Sequence, residues 1–161
     1  MRSKINISNF EDIDLQYNLK IASSESYLKL LKINNYRYLI NYYDDNIYYC
    51  DESGLVLYHS YDKIALFDSH SGELLLLLNL FDSFVGVISF KDGLLILTDT
   101  SYFKINKSNY SIYELNFIND EIIDFEISNS SIIILKLSTD ETYFVKNLES
   151  PNLMKRVMFQ T

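Results

Sequence analysis

The sequence predicts an all-β fold in which antiparallel strands recur in units of about 40 residues. Two observations lead to this prediction. Short runs of Leu and Ile, each four or five residues long, are too short for independent helices and are typical of buried strands. Clusters of Asn, Asp and Ser separate these runs and provide turns, because the chain of 161 residues has four Gly and one Pro.

A repeat connects these strands along the chain. Three stretches align, each with a polar turn, an apolar strand, a second polar turn and a second strand. Their apolar strands begin at Leu55, Leu94 and Ile132, which are 39 and 38 residues apart. A period of about 40 residues is typical of a supersecondary unit that stacks on its own copies. The aligned stretches are DESGLVLYHSYDKIALFD (51–68), KDGLLILTDTSYFKIN (91–106) and SNSSIIILKLSTDETYFVKN (128–147).

The repeat also predicts how the chain is divided. A fainter copy lies in LQYNLKIASSESYLKL (15–30), so we expect four repeat-like units in a single all-β domain. Sheets stacked in this way form either a propeller-like arrangement or a sandwich, and the sequence pattern is compatible with both architectures. The fainter copy competes with one short helix near 24–32, where SSESYLKLLK offers a serine cap and apolar positions at helical spacing. The expected units cover approximately residues 13–46, 47–84, 85–122 and 123–161.

The strands differ in the burial that their patterns predict. The apolar runs 74–78, 94–97 and 132–135 do not alternate, and such short continuous runs predict strands that are covered on both faces. SIYELNF (111–117) and EIIDFEI (121–127) alternate imperfectly between apolar and polar residues, which predicts half-buried strands.

One hairpin resembles part of a known fold. In KIALFDSHSGELLLLL (63–78), Asp68 follows a first apolar strand at Ile64–Phe67. Gly72 lies in the turn before a second apolar strand at Leu74–Leu78. This order resembles one hairpin of β-propeller repeats of the WD and quinoprotein types, although the chain has no Trp and the other repeats lack this Asp and Gly turn. The resemblance implies a blade-like β-hairpin and implies no enzymatic activity.

The charge balance indicates which classes of partner the chain can bind. The chain has 14 basic and 22 acidic residues, a net charge of −8 and a pI near 4.7. This balance argues against direct binding of nucleic acid, whose phosphates require Lys and Arg, and against binding of anionic membrane surfaces. It permits a basic protein partner, which opposite charge would steer toward the chain.

Three features predict a cytoplasmic location. The start, MRSKINISNFED, has no apolar segment of the kind found in secretory signals. The longest apolar run, Leu74–Leu78, is too short to span a bilayer. Cys50 is the single cysteine, so an intrachain disulfide cannot form, which fits a reducing compartment. The abundance of Ile, Asn, Lys and Tyr favours an AT-rich genome, and we expect a bacterial source.

The sequence shows no set of residues with catalytic roles, and we expect neither an enzyme nor a cofactor. Asp68, His70 and His59 lack the spacing specific to a metal site, so both histidines are interpreted as ordinary turn or surface residues. No serine lies in G-x-S-x-G, and no glycine-rich phosphate-binding loop occurs. Cys50 follows two tyrosines in an expected strand and is interpreted as a small core residue.

A tyrosine-rich acidic hairpin is the first predicted binding surface. NYYDDNIYYCDE (41–52) has a turn-like centre at 44–46 with a pair of tyrosines on each side. Adjacent residues of a strand point to opposite faces, so about half of these tyrosines are expected in the core. The others offer a partner large contact area, and the carboxylates beside them suit Lys and Arg. The predicted contact residues are Tyr42, Tyr43, Asp44, Asp45, Tyr48, Tyr49, Asp51 and Glu52.

A second acidic group lies nearer the end of the chain. Asp120, Glu121 and Asp124 are predicted partner contacts in this group, and Glu126 follows them. On a regular strand at 121–127, Glu121 would point to one side of the sheet. Asp124 and Glu126 would point to the other side, as on a solvated sheet face.

The size, acidity and lack of catalytic motifs are similar in general character to the immunity proteins of bacterial contact-dependent and polymorphic toxin systems. This resemblance implies a cognate toxin domain of the nuclease type, itself basic because it must bind nucleic acid. It implies inhibition by carboxylates that pair with Lys and Arg of the toxin and by steric cover of the toxin's active site. Two alternatives stay open: a propeller-like scaffold or ligand module with no toxin partner, and a carboxylate-dependent hydrolase.

Overall fold

The structure, a computed structural model, describes residues 19–22, 28–33, 36–41, 46–50, 53–60, 62–129 and 131–156. All the regular secondary structure in these ranges is β-strand, and the paired strands are antiparallel. The predicted all-β fold is therefore confirmed. The strands are β1 (Leu19–Ala22), β2 (Leu28–Ile33), β3 (Tyr36–Asn41), β4 (Ile47–Cys50), β5 (Leu55–His59), β6 (Lys63–Asp68), β7 (Leu74–Asn79), β8 (Phe84–Phe90), β9 (Gly93–Thr98), β10 (Ser101–Asn106), β11 (Ile112–Phe117), β12 (Ile122–Asn129), β13 (Ile132–Leu137), β14 (Thr142–Val145), β15 (Asn152–Leu153) and β16 (Lys155–Arg156).

The described strands form four sheets in two compact units. Unit one contains sheet A, in the order β1-β2-β3, and sheet B, in the order β16-β4-β5-β6-β7. Unit two contains sheet C, in the order β11-β10-β9-β8-β15, and sheet D, in the order β12-β13-β14. Unit two comprises residues 61–63 and 79–154, and unit one comprises the rest of the chain. The expectation of a single domain stays a prediction.

The sequence repeat is confirmed as a series of antiparallel meanders. Leu55 opens β5, Leu94 is the second residue of β9, and Ile132 opens β13. Each of these strands is the second one of a meander that follows the chain, namely β4 to β7, β8 to β11 and β12 to β14. Equivalent places in the sequence pattern therefore occupy equivalent places in the sheets.

The fainter copy of the repeat contains a β-strand, in a stretch for which the sequence also allowed a short helix. Leu28–Ile33 is β2, which pairs with β1 on one side and with β3 on the other. The short helix considered near 24–32 is therefore wrong for residues 28–32, while residues 23–27 lie outside the described part. A helix of this length is marginal on its own, whereas β2 pairs with β3 along its whole length and with β1 over residues 30–33.

The core of unit two lies between sheets C and D. Side chains two residues apart on each strand enter it, as the pleat of a strand requires. All six residues of β9 are buried, which confirms that the run 94–97 is covered on both faces. The run 132–135 instead alternates between half-buried and buried residues. The core consists of Ile88, Phe90, Leu95, Leu97 and Tyr102 of sheet C with Ile122, Ile133, Leu135, Leu137, Val145 and Leu148 of sheet D and its following segment.

In unit one the predicted hairpin at 63–78 is formed by β6 and β7. The Asp68 carboxylate closes its turn, because Oδ1 accepts from the backbone N–H groups of His70 at 2.8 Å and Ser71 at 2.9 Å. Gly72 adopts a φ of 82°, and its N–H donates to the Asp68 carbonyl at 2.8 Å. Both residues that the sequence singled out therefore shape this turn. Tyr38 of sheet A reaches the same turn and donates its hydroxyl to the Gly72 carbonyl at 2.6 Å.

Two strands are less buried than their sequences predict. The run 74–78 in β7 was expected to be covered on both faces, but Leu77 is 65% exposed and the other four leucines are half-buried. β11 was expected to be half-buried, but five of its six residues are exposed. Both strands are the last of their meanders and lie at the edge of a described sheet, so each has one strand neighbour instead of two.

This difference in burial predicts different costs for the same truncation. Leu95→Ala should lower the free energy of unfolding by about 2–5 kcal/mol, because it leaves a cavity at a fully buried position. Leu77→Ala should cost less than about 0.5 kcal/mol, because solvent already reaches that side chain. Urea denaturation followed by circular dichroism measures both values. Equal losses in the two variants would contradict the burial described for β7 and β9.

Two glycines permit close packing in unit two. A Cβ at Gly93 would overlap the backbone carbonyl oxygen of Ile105 in the paired strand β10. A Cβ at Gly86 would overlap the ring of Phe125, which comes from sheet D. The first obstacle is backbone held by the sheet, whereas the second is a side chain that can turn aside.

We therefore expect Gly93→Ala to be the more damaging of the two substitutions. It should cost about 3 kcal/mol or more, since the β9–β10 ladder must separate locally to admit the methyl group. Gly86→Ala should cost about 1–2 kcal/mol through displacement of the Phe125 ring. Thermal unfolding of both variants tests the order, and a lower melting temperature for Gly86→Ala than for Gly93→Ala would overturn it.

Candidate protein-binding surface

Of the eight contact residues predicted in the tyrosine-rich hairpin, Tyr48 and Tyr49 lie in the described part of the chain, on β4. Tyr48 is 6% exposed, and the centroid of its ring lies 5.8 Å from that of His59. Tyr49 is half-buried. One tyrosine of the pair therefore belongs to the core, and the predicted partner contact at Tyr48 is corrected because its side chain is withdrawn from solvent. The other predicted contacts of this hairpin, Tyr42, Tyr43, Asp44, Asp45, Asp51 and Glu52, lie outside the described residues.

The two histidines occupy a turn and a strand end. His70 is exposed in the β6–β7 turn, and His59 is the half-buried last residue of β5. Among the described residues, no group of three or more His, Cys, Asp or Glu side chains is placed to hold a metal ion. The same part of the chain has no helix long and apolar enough to cross a membrane.

Unit two gathers acidic residues at one end of its sheets. Successive turns of an antiparallel meander lie at alternate ends, so every second turn comes to the same end. The turns at 80–83, 99–100, 118–121 and 138–141 share one end and contain six acidic residues and no Lys or Arg. We call this set the acidic end: Asp82, Asp99, Asp120, Glu121, Asp140 and Glu141.

Backbone hydrogen bonds join these turns to one another. The Asp99 N–H donates to the Ser83 carbonyl at 3.0 Å, and the Ile122 N–H donates to the Asp99 carbonyl at 2.6 Å. The Ser138 N–H donates to the Glu121 carbonyl at 2.9 Å. The four turns are therefore joined by backbone hydrogen bonds into one surface.

Asp120 is the acidic residue most strongly tied into this network. Its Oδ1 accepts from the Ser138 hydroxyl at 2.5 Å and from the Glu121 N–H at 2.7 Å, and its Oδ2 accepts from the Thr139 N–H at 3.2 Å. The hydrogen bonds from Ser138 and Thr139 lower the pKa of Asp120 to about 2. Asp120 thus braces the β11–β12 connection against the β13–β14 turn, whereas the Glu121 side chain beside it is exposed.

Glu121, which directly precedes β12, and the acidic residues of β12 do not divide between two faces as a regular strand over 121–127 would require. The pairing of β12 with β13 shifts register between Ile122 and Asp124, as at a β-bulge. Glu121, Asp124 and Glu126 are consequently all exposed. The expectation that Glu121 points away from the other two is wrong because the bulge resets the alternation after Ile122.

One lysine of sheet C is neutralised inside the unit. The Lys104 side chain is 10% exposed, and its Nζ lies 2.6 Å from Oε2 of Glu114. The same nitrogen lies 5.8 Å from the ring centroids of Phe90 and Tyr113, within the range of cation–π attraction. Lys104 therefore offers little positive charge to solvent.

The turns at the other end of unit two carry lysines as well as acidic residues. Its turns carry Lys91, Lys107 and Lys146 beside Asp92 and Glu149, and Lys91 Nζ lies 3.3 Å from Glu149 Oε1. Unit two as a whole has twelve acidic and six basic residues, a net charge of −6. Its charge is thus polarised along the strands. A groove of about 510 Å³ at the lysine-bearing end is lined by Lys91, Asp92, Asn106, Lys107, Ser108 and Tyr113.

Sequence reasoning found Asp120 and Glu121 of the acidic end but missed its other members. Asp82, Asp99 and Asp140 come from turns that are distant in the sequence, and each is unremarkable in its local stretch. A signal was present nonetheless, because acidic residues recur at 82, 99, 120 and 140, about half a repeat apart. Every second turn of a regular meander returns to the same end, so this spacing predicts their convergence.

Comparison with known proteins yields likeness of fold alone. No family model and no curated protein sequence matches the chain. The N-terminal domain of Nup159, a β-propeller, superposes on 93% of this chain with a TM-score of 0.50 and 12% identity. The likeness is one of fold, and the chain spans 43% of the Nup159 domain's length. A second similar structure is a chain of an S. cerevisiae complex that contains a Dbp5 variant, Nup159, a Gle1 variant, IP6 and ADP. The match covers 64% of the present chain and 33% of that chain, with a TM-score of 0.49 and 12% identity.

The hydrogen bonds of Asp120 predict a specific dependence of stability on pH. Its folded-state pKa of about 2 lies below the ordinary 3.8, so the ionised carboxylate stabilises the fold above pH 3.8. This contribution is lost as the pH falls from 3.8 toward 2. Asp120→Asn should therefore be less stable than the wild type at neutral pH, and the difference should shrink over that acidic window. Urea denaturation at a series of pH values measures it, and a difference that stays constant down to pH 2 would contradict the assignment.

Proposed function

We propose that the protein binds a basic protein partner and inhibits it in the manner of an immunity protein. The observation that supports this most directly is the acidic end, where four turns bring together six carboxylates and no Lys or Arg. A nuclease-type toxin must present Lys and Arg to the phosphates of its substrate. The same positive surface would be attracted to the acidic end and steered toward it over long range.

The toxin is inhibited because the bound protein occupies the surface that the toxin needs for nucleic acid. The exposed carboxylates of Glu121, Asp140 and Glu141 pair with Lys and Arg that the toxin needs for phosphate binding. Hydrogen bonds between the turns order the backbone that carries these groups before binding, which reduces the backbone entropy lost on association. A body of the size of unit two above the toxin's active site excludes nucleic acid by steric cover. No catalytic step by this protein is required, and the proposal includes no cofactor.

The proposal places the protein in a bacterial cytoplasm, where a nuclease toxin meets its substrate. The single cysteine of the chain is consistent with a reducing compartment. Direct contact with nucleic acid is not part of the proposal, since a net charge of −6 on unit two repels phosphate.

A second candidate function is that of a propeller-like interaction module without a toxin partner. The likeness in fold to the N-terminal domain of Nup159 favours this candidate. Both candidates use a surface for binding, and they differ in whether the partner is a toxin.

Charge reversal at the acidic end tests the proposal. If a secreted protein with a basic C-terminal domain is encoded next to this chain's gene, that domain is produced and titrated with the wild type by calorimetry. Glu121→Lys and Glu141→Lys should each weaken binding roughly tenfold at low salt, and added salt should weaken the wild type as well. The matched control is Glu149→Lys, which makes the same change at the other end of unit two and should leave affinity nearly unchanged.

Each contrary result has a distinct meaning. Absence of such a neighbouring domain, or of binding to it, would overturn the immunity function and leave the interaction module. Equal weakening by Glu149→Lys would show that general charge, and not the acidic end, governs binding.

A further inference from the structure

An exposed pair of phenylalanines adjoins the acidic end. Phe81, in the β7–β8 turn, is 73% exposed, and Phe117, the last residue of β11, is 63% exposed. Their ring centroids lie 5.8 Å apart with an interplanar angle of 66°, an edge-to-face contact. An aromatic side chain of a turn and one at the end of a strand therefore pack on each other in solvent instead of entering the core.

The surroundings of this pair distinguish it from a solitary exposed apolar residue. Leu115, two residues before Phe117 on the edge strand β11, is also exposed. Asp82 follows Phe81 directly, and the β11–β12 connection that follows Phe117 carries Asp120 and Glu121. Exposed apolar groups rimmed by polar ones are typical of interaction sites, in which aromatic residues contribute most of the binding energy.

We propose that the Phe81–Phe117 pair is the apolar anchor site of the binding surface. It receives an apolar side chain of the partner that is flanked by Lys or Arg, and the carboxylates of the acidic end pair with these flanking cations. This inference rests on the proposed function, because it takes the partner to be a basic protein. It adds the chemistry of the partner's contact segment, which charge alone does not specify.

Charge complementarity selects this occupant over a second copy of the chain. Two copies that met through this surface would oppose two acidic ends and two units of net charge −6. Like charges placed together in an interface are repulsive. A basic partner reverses the sign of that interaction.

The geometry of β11 favours side-chain contact over the addition of a partner strand. The pairing of β10 with β11 shifts register between Tyr102 and Lys104, and Glu114 has a φ of 52°. Such a bulge interrupts the row of backbone groups that an added strand would need. The anchor site at the end of β11 requires no continuous backbone pairing.

Two peptides test the anchor directly. The probes are the acetylated, amidated peptides Lys-Arg-Leu-Arg-Lys and Lys-Arg-Ser-Arg-Lys, titrated into the full chain and followed by amide chemical shifts in NMR. The leucine peptide should bind about fivefold more tightly than the serine peptide, because burial of part of one leucine is worth about 1 kcal/mol. Its shifts should centre on residues 80–83 and 116–121. Equal affinity for the two peptides would overturn the proposal.

Serine variants of the two phenylalanines show where the leucine peptide binds. Phe81→Ser and Phe117→Ser should each remove the preference for the leucine peptide, and the exposed Phe144→Ser on β14 is the matched control that should keep it. Since both anchor residues are exposed, thermal unfolding should change little in these variants. A preference that survives in both variants, or concentration-dependent self-association of the wild type that they abolish, would overturn the anchor site.

The toxin domain separates this inference from the proposed function. If Phe81→Ser leaves its affinity unchanged while Glu121→Lys weakens it, the anchor is wrong and the inhibitor function stands. If both changes weaken binding, with a loss of about tenfold or more for Phe81→Ser, both are supported. If the domain does not bind at all while the peptide preference holds, the toxin partner is wrong and the anchor stands.

Discussion

Backbone hydrogen bonding between consecutive antiparallel strands is the constraint on which the rest of unit two depends. Each strand reverses into the next, so the turns lie alternately at two ends of the sheets. Side chains on turns that are about 20 or 40 residues apart are thereby brought together without any helix or long loop. The polarised charge of unit two is a consequence of this path, because one set of turns is acidic and the other set carries lysines.

Packing between sheets C and D makes this arrangement rigid enough to present a surface. Leu95, Leu135 and their neighbours form a core in which strands from both sheets meet. The edges are the weaker places, since β11 has one strand neighbour and exposes most of its residues. A site at such an edge can expose aromatic side chains without disturbing the core, and the Phe81–Phe117 pair occupies this position.

The acidic residues of the binding surface have two different tasks. Asp120 directs its carboxylate into three hydrogen bonds with the β13–β14 turn and its own connection, and so it maintains the surface. Glu121 beside it is exposed and free to face solvent or a partner. A negative surface therefore needs both kinds of carboxylate, because exposed charges in mobile turns would lose more entropy when they bind.

Three properties follow directly from the amino-acid sequence: the class of fold, the period of the repeat and the excess of negative charge. These properties are encoded locally, in apolar runs such as 94–97, in turn residues such as Asp68 and Gly72, and in composition. Three other features depend on tertiary structure: β7 and β11 lie at sheet edges, a bulge shifts the register of β12 between Ile122 and Asp124, and Phe81 meets Phe117. Burial, register and contacts between distant turns depend on which strands become neighbours, and a local pattern of residues does not contain that information.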